Sequence, residues 1–547
     1  MDVERFLRFY DFLSVVLRAA IFTFQCLTIG GIAFVAIALR SSGQEGQELR
    51  RECRSRVLWA AAALVLTQAF SLAANLFVLM ASGGFSLREV IGANLVFASS
   101  LAMASGLAIM FLCSGGRQEQ GLAIGFPAAM LLVSSVMSSH SVARLDYRLL
   151  LAVLTGLHQG ATGVWIGGLP YLHLVLRRAQ TAEVMREVSQ RFSRLALVSV
   201  LSLAVAGVWL STVYVGSWSG WYGTAYGAMA GTKVLLFAFL LTLGAINFFN
   251  VRATKPSQTG SLTRVRTFCE AEIGIGLAVL LAAASLTSQP PAADLTVDRL
   301  TLAEIKARMT PQWPRFSTPS VNDLPETVHP RESGINSLQS TETGDTAAAV
   351  SRYIRYQEDI AWSEYNHHWA GLAVLIMGLL AFLARTNHFP MARNWPLVFI
   401  GLAVFLFFRA DPETWPLGPR GFWQSWSNPE DLQHRFFVAL IVAFAVFEWR
   451  VQTGRVKSRM PALVFPSVCA LAAAALLTHS HSLGNVKEAL LAEMSHLPIA
   501  VAGVLAGWSR WLEIRLPAGD RVKPVLSWIW PVCFVLIGAV LLNYREA

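Results

Sequence analysis

Fourteen apolar runs, most of them close to the length of a bilayer crossing, punctuate this 547-residue chain. A helix rises 1.5 Å per residue, so about 20 residues cover the hydrocarbon core. The runs are 19–38, 57–80, 90–113, 122–137, 150–174, 195–214, 229–249, 270–286, 368–383, 395–408, 436–447, 462–477, 490–511 and 526–542. Run 395–408 is short, and 436–447 reaches full length only with its flanks. In hydrocarbon the backbone must satisfy its own hydrogen bonds, so each run is expected to be a helix. The expected fold is therefore all-α: a polytopic membrane protein of about 14 transmembrane helices, eight and then six. Residues 1–288 form the eight-helix unit, 289–364 a polar outer segment, and 365–547 a six-helix, histidine-rich unit. The polar segment holds seven prolines between 290 and 330 and few aliphatic residues, so it reads as a linker or as a strap over the outer face.

Only 14% of residues are charged, where a soluble domain carries roughly a quarter. That deficit excludes a cytosolic enzyme and a disordered chain. The net charge of +10 would suit a nucleic-acid partner if it were clustered, but it is not. Of the 44 Lys and Arg, 25 fall in seven alternate loops, which the positive-inside rule assigns to the cytoplasm. The expected orientation is N-out, C-out, with the bilayer rather than nucleic acid as the partner. The first apolar run lacks a small-residue cleavage site and reads as a retained span. The six cysteines stand singly, without CxxC or finger spacing, so neither structural zinc nor a disulfide framework is expected.

A motif series runs through residues 150–291. His158 precedes Trp165-Ile166-Gly167-Gly168-Leu169, and Arg191-Phe192-Ser193-Arg194-Leu195-Ala196 opens the next span. Gly223-Thr224-Ala225-Tyr226-Gly227 is followed by Lys233 and Asn247; Arg264 and Arg266 lead into Glu272, and the series closes at Gln289-Pro290-Pro291. In content and order this region resembles the copper resistance D (CopD) family of bacterial inner-membrane proteins. The resemblance implies copper handling, with uptake across the inner membrane and a periplasmic copper-binding (CopC-like) partner. It covers about a quarter of the chain, and 351–547 carries no such signature.

Ionisable residues inside spans usually face a bundle interior or a cavity. His158 lies about a third of the way in from the outer end of its run, and Trp165 two turns deeper. Lys233 sits just inside the outer boundary and Glu272 at the inner end, where snorkelling to the headgroups is the alternative. With Trp165, Lys233 and Glu272 they mark a candidate pathway. Gly167-Gly168 reads as close helix packing.

Eleven histidines are sorted by the expected topology. His173 and His388 fall at the inner side. His367, His368, His434, His479, His481 and His496 all fall at outer ends of the C-terminal half, and with His158 they are the candidate metal ligands, since imidazole suits copper, iron and zinc. An acidic residue stands three positions before four histidines: Glu326/His329, Glu364/His367, Asp431/His434 and Glu493/His496. On a helix that spacing shares a face, so Glu364, Asp431 and Glu493 become candidate co-ligands or imidazole orienters. The preference of helix N-termini for acidic residues explains part of the pattern. Met494 is a further candidate donor for Cu(I). The three tryptophans of 409–433 fit an interfacial belt or a lid over the histidines.

There is no Walker A motif, nucleophile elbow or HExxH, so the expectation is a transporter rather than an enzyme. Copper, as Cu+ or Cu2+, would be captured at the outer histidine cluster and passed inward, giving copper resistance or uptake. The alternative is a haem- or metal-containing oxidoreductase, or an assembly factor for a metallo-oxidase, with haem b held between two histidines.

Overall fold

The computed structural model describes residues 3–40, 43–115, 121–253, 259–297, 299–319, 357–386, 388–409, 414–419, 421–425, 429–456, 458, 460–478 and 486–545. These are predominantly helical, and each of the fourteen apolar runs coincides with helix. Among the described residues ten helices are long and apolar enough to cross a membrane, and Ala123–Met137 and Pro461–Leu476 are shorter apolar helices. The protein is thus a multi-pass, all-helical membrane protein. The short run 395–408 gains length from a 3-10 stretch, Pro390–Leu397, that continues into Val398–Arg409 to make a 20-residue candidate span.

The chain divides into two compact units: Met1–Arg299 with Ala474–Ser482, and Leu300–Ala473 with Leu483–Ala547. Nine principal helices build the first: α1 (Val3–Ala33), α2 (Gln44–Gly83), α3 (Asn94–Ser114), α4 (Gly121–Met137), α5 (Arg148–Ile166), α6 (Leu169–Arg178), α7 (Ala182–Tyr214), α8 (Ala225–Ala253) and α9 (Thr259–Leu286). Local chemistry fixes their ends. Gly84 takes the left-handed conformation after α2, with φ of 64°. Thr224 caps α8, its hydroxyl accepting from the Gly227 amide at 3.0 Å and donating to the Gly220 carbonyl at 2.8 Å.

The Gly167-Gly168 pair breaks the fifth apolar run into α5 and α6 and brings α5 against α1. A Cβ on Gly167 would lie 1.8 Å from the Cys26 carbonyl oxygen, and one on Gly30 would lie 2.3 Å from the Gly167 carbonyl carbon. Only glycine permits this approach, as the sequence reading expected. Beside it, Phe34 and Phe192 pack with ring centroids 5.8 Å apart.

The second unit contains α10 (Leu302–Met309), α11 (Gln357–Arg385), α12 (Val398–Arg409), α13 (Pro429–Gln452), α14 (Val464–Leu476), α15 (Val486–Arg515) and α16 (Lys523–Leu542). Its core gathers Trp395, Phe465, Trp530 and Phe534. Glu513 accepts hydrogen bonds from Arg385, from Arg510 at 2.7 Å and from Trp530 Nε1 at 3.1 Å, and both guanidinium groups lie over the Trp530 ring. A capping box of Thr301 and Glu304 starts α10. From there the chain runs along the ends of α11 and α16. Arg545 donates to the Thr310 carbonyl at 2.5 Å, and the Arg315 amide donates to His368 Nδ1 at 2.7 Å.

Candidate functional site

Within the first unit the helices enclose a cavity of about 1110 Å³. Its walls come from α1 to α5 and α7 to α9, and from the loops at the end of the bundle that carries His140, Ser217 and Thr287. A run of 20 apolar residues has no need of hydroxyls or amides, yet Gln25, Gln68, Ser134, Thr155 and Gln159 all turn to this space. Gln68 Nε2 donates to Ser99 Oγ at 2.9 Å, and many of the hydroxyls bond back to their own helices, as Thr162 does to the His158 carbonyl at 2.7 Å.

His158 and Lys233 both line the cavity, from α5 and α8. His158 Nδ1 and Gln159 Oε1 are buried and have no hydrogen-bond partner among the described residues. A buried polar atom left in that state is costly, and at a cavity wall water or a ligand can satisfy it. Trp165 lies below this space, its ring packed edge-on against Phe237 at 5.9 Å, and Phe237 itself lines the wall. Glu272 sits deeper, 2% exposed, taking a hydrogen bond from Asn247. Lys233 is therefore directed into the cavity, and Glu272 is buried against a neighbouring helix.

At the loop end, His140 stands on the short helix His140–Ala143. Burial holds its imidazole below the ordinary value, reinforced by Arg18 and Arg144 and opposed by a hydrogen bond to the Thr287 carbonyl and by Asp294. Arg18 Nη1 donates to the same carbonyl at 2.5 Å, while Arg144 pairs with Asp294 at 2.6 Å.

In the second unit three of the expected ligands gather about one residue, Tyr544. The His367 ring stacks on it at 3.8 Å, the His496 ring lies 6.4 Å away, and His368 Nε2 meets the Tyr544 carbonyl at 2.9 Å. His367 Nδ1 meets the Ser363 carbonyl at 2.8 Å. His368 is 5% exposed, and both its nitrogens are engaged by backbone groups. Glu364 faces Arg315 at 3.5 Å. Glu493 is 2% exposed and neither carboxylate oxygen has a hydrogen-bond partner among the described residues. Met494, half-buried, follows it. His329, His479 and His481 lie outside the described residues, as do the side chains of Asp431 and His434. Among the described residues no three His, Cys, Asp or Glu side chains stand close enough to hold one metal ion.

Sequence reasoning missed Arg18, Gln25 and Gln68 as parts of one wall. Their signal was available, since each is a polar interruption within or at the mouth of an apolar run. Nothing in the sequence foretold Tyr544 as a gathering point, because it lies 177 positions beyond His367.

Comparison with known proteins bears on the first unit. Residues 186–286 match the family model of copper resistance protein D. This is narrower than the 150–291 read from motifs, and it leaves His158 and Trp165 outside. The copper transport protein CutJ of Bacillus subtilis (strain 168) is 32% identical over 163 residues, a stretch that spans 29% of this chain and 29% of that relative. No solved structure matches. Neither match points to haem.

Proposed function

We propose that the chain is a copper-handling protein of the bacterial inner membrane that takes copper from the outer side through the cavity of the first unit. One observation carries the reading: the segment similar to copper resistance protein D forms a wall of that cavity. Leu203, Gly207, Tyr214, Tyr226, Lys233 and Val279 all belong to residues 186–286 and all line it. The name of the Bacillus subtilis relative supports the same cargo. In the N-out, C-out orientation the cavity mouth at His140 and Ser217 faces the periplasm, and the Trp165–Phe237 contact closes the cytoplasmic side. His158 offers an imidazole nitrogen and Cys26 a soft sulfur donor along the way.

Capture falls to the outer histidines of the second unit, His367, His434, His479, His481 and His496, with Glu364, Asp431, Glu493 and Met494 beside them. His368 joins these donors only by releasing its backbone partners. The unpartnered carboxylate of Glu493, one turn from His496, is the natural place for a cation to enter the group. A CopC-like periplasmic protein is the expected supplier of copper. The domain division follows the same logic, with 1–288 as the conducting unit, 289–364 as the outer strap and 365–547 as the capturing unit.

The test is copper quantified in the purified protein and in cells, with His158→Ala and with His434→Ala/His496→Ala. Loss of bound copper in the double variant and loss of cellular uptake in His158→Ala are expected. A deletion strain with unchanged copper content would overturn the reading.

A further inference from the structure

The cavity of the first unit offers a metal ion the donors Cys26 and His158 but, among the described residues, no carboxylate to balance its charge. Its wall carries the basic side chains of Arg18 and Lys233, and the imidazoles of His140 and His158, yet no Asp or Glu among the described residues lines it. The nearby acid, Asp294, is held by Arg144 and is not part of the wall. Lys233 has no carboxylate partner among the described residues, although a cation at membrane depth is normally paired. A volume of about 1110 Å³ is far more than an ion held by a few atoms needs, and it lies just above the range of about 300–1,000 Å³ usual for pockets that take small organic molecules. The wall is rich in hydroxyls and amides, and His158 Nδ1 and Gln159 Oε1 stand open to a ligand's polar groups.

From this charge set and size we propose that the cavity binds a small organic anion, so that copper enters as an anionic chelate rather than as a naked ion. Lys233 supplies the counter-charge and Arg18 a second cation near the mouth, while His158 Nδ1 and Gln159 Oε1, both acceptors, receive hydrogen bonds from the hydroxyl or amide N–H groups of the same molecule. The inference rests on the copper-handling reading and adds the chemical form of the cargo. Arg18 is held by the Thr287 carbonyl, which leaves Lys233 as the cation most available to the ligand.

The test uses the full chain in lipid nanodiscs, with citrate, glutathione, the copper complexes of each, and copper(I) alone as probes in equilibrium dialysis. At least one anion is expected to bind without metal and to carry copper when complexed. Its affinity should fall about tenfold or more in Lys233→Gln, be retained in Lys233→Arg, and weaken as salt is raised. The salt dependence of the unmodified protein gives a readout even if Lys233→Gln fails to fold. The inference is overturned if copper(I) alone binds and Lys233→Gln binds it as tightly or more tightly, or if none of the anions binds. In either case, a copper deficit in cells lacking the protein would leave the copper-handling reading standing. If the deletion leaves copper unchanged while anions still bind, that reading falls instead.

Discussion

Asn247 donates a hydrogen bond from Nδ2 to Oε1 of Glu272, joining α8 to α9 where both side chains are buried. The pair lies beneath the cavity, where a carboxyl group has no water to turn to. Asn247→Leu should lower stability by about 2–3 kcal/mol, because it strands the Glu272 carboxyl. Glu272→Gln keeps an acceptor for Asn247 and should cost less than half of that. Apparent Tm in detergent separates the two, and equal losses would mean that the hydrogen bond does not matter.

Gly167→Ala must move either α1 or α5, since its Cβ would fall 1.8 Å from a backbone oxygen. A loss of about 3 kcal/mol or more is expected, at the upper end of overpacking effects. Gly231→Ala, with nothing within 4 Å of the new methyl, is the control and should leave Tm unchanged or slightly raised.

In the second unit, Glu513→Ala removes the acceptor shared by Arg385, Arg510 and Trp530. Two guanidinium groups then face each other around Trp530 without a counter-charge. A loss of about 3–5 kcal/mol follows from breaking a buried ion pair at one partner. Tryptophan emission should shift on unfolding at a correspondingly lower temperature.

His368→Ala should free the segment around Arg315, because His368 Nδ1 accepts from the Arg315 amide and its Nε2 holds the Tyr544 carbonyl. Each such bond is worth about 1 kcal/mol. Faster hydrogen exchange at 310–316 is the expected signature, and unchanged exchange would show that the segment is held elsewhere.

His140 predicts a pH effect. Burial lowers its folded pKa below the unfolded value of about 6.5, so the unfolded chain binds more protons between those two values. Stability therefore rises with pH through that window, is fully present above about 6.5, and declines as pH falls below it. Melting curves from pH 8 to 5 should show this decline, and His140→Gln should make it shallower.

The helices were legible because hydrocarbon thickness sets a length that any crossing must meet, and the fourteen runs meet it or come close. The place of His158 at the cavity wall was legible for the same reason, since an ionisable side chain inside an apolar run usually faces an interior or a cavity. Partnerships were not. His368 is engaged by two backbone groups, and backbone groups look the same at every position, so its neighbours left no trace in the residue pattern. The Ser, Thr and Gln lining of the cavity was hidden in another way. Hydroxyls satisfy themselves on their own helix, so in one dimension each reads as a tolerated exception rather than as a share of a common wall.

The glycine seam has a mechanical consequence. At Cys26 and Gly167, α1 and α5 meet backbone against backbone, with no side chain at that contact to rotate aside. They move together, as the fixed jamb of a door. Below His158, Phe237 of α8 rests edge-on against Trp165 of α5, so a passage opened there would require these two rings to part.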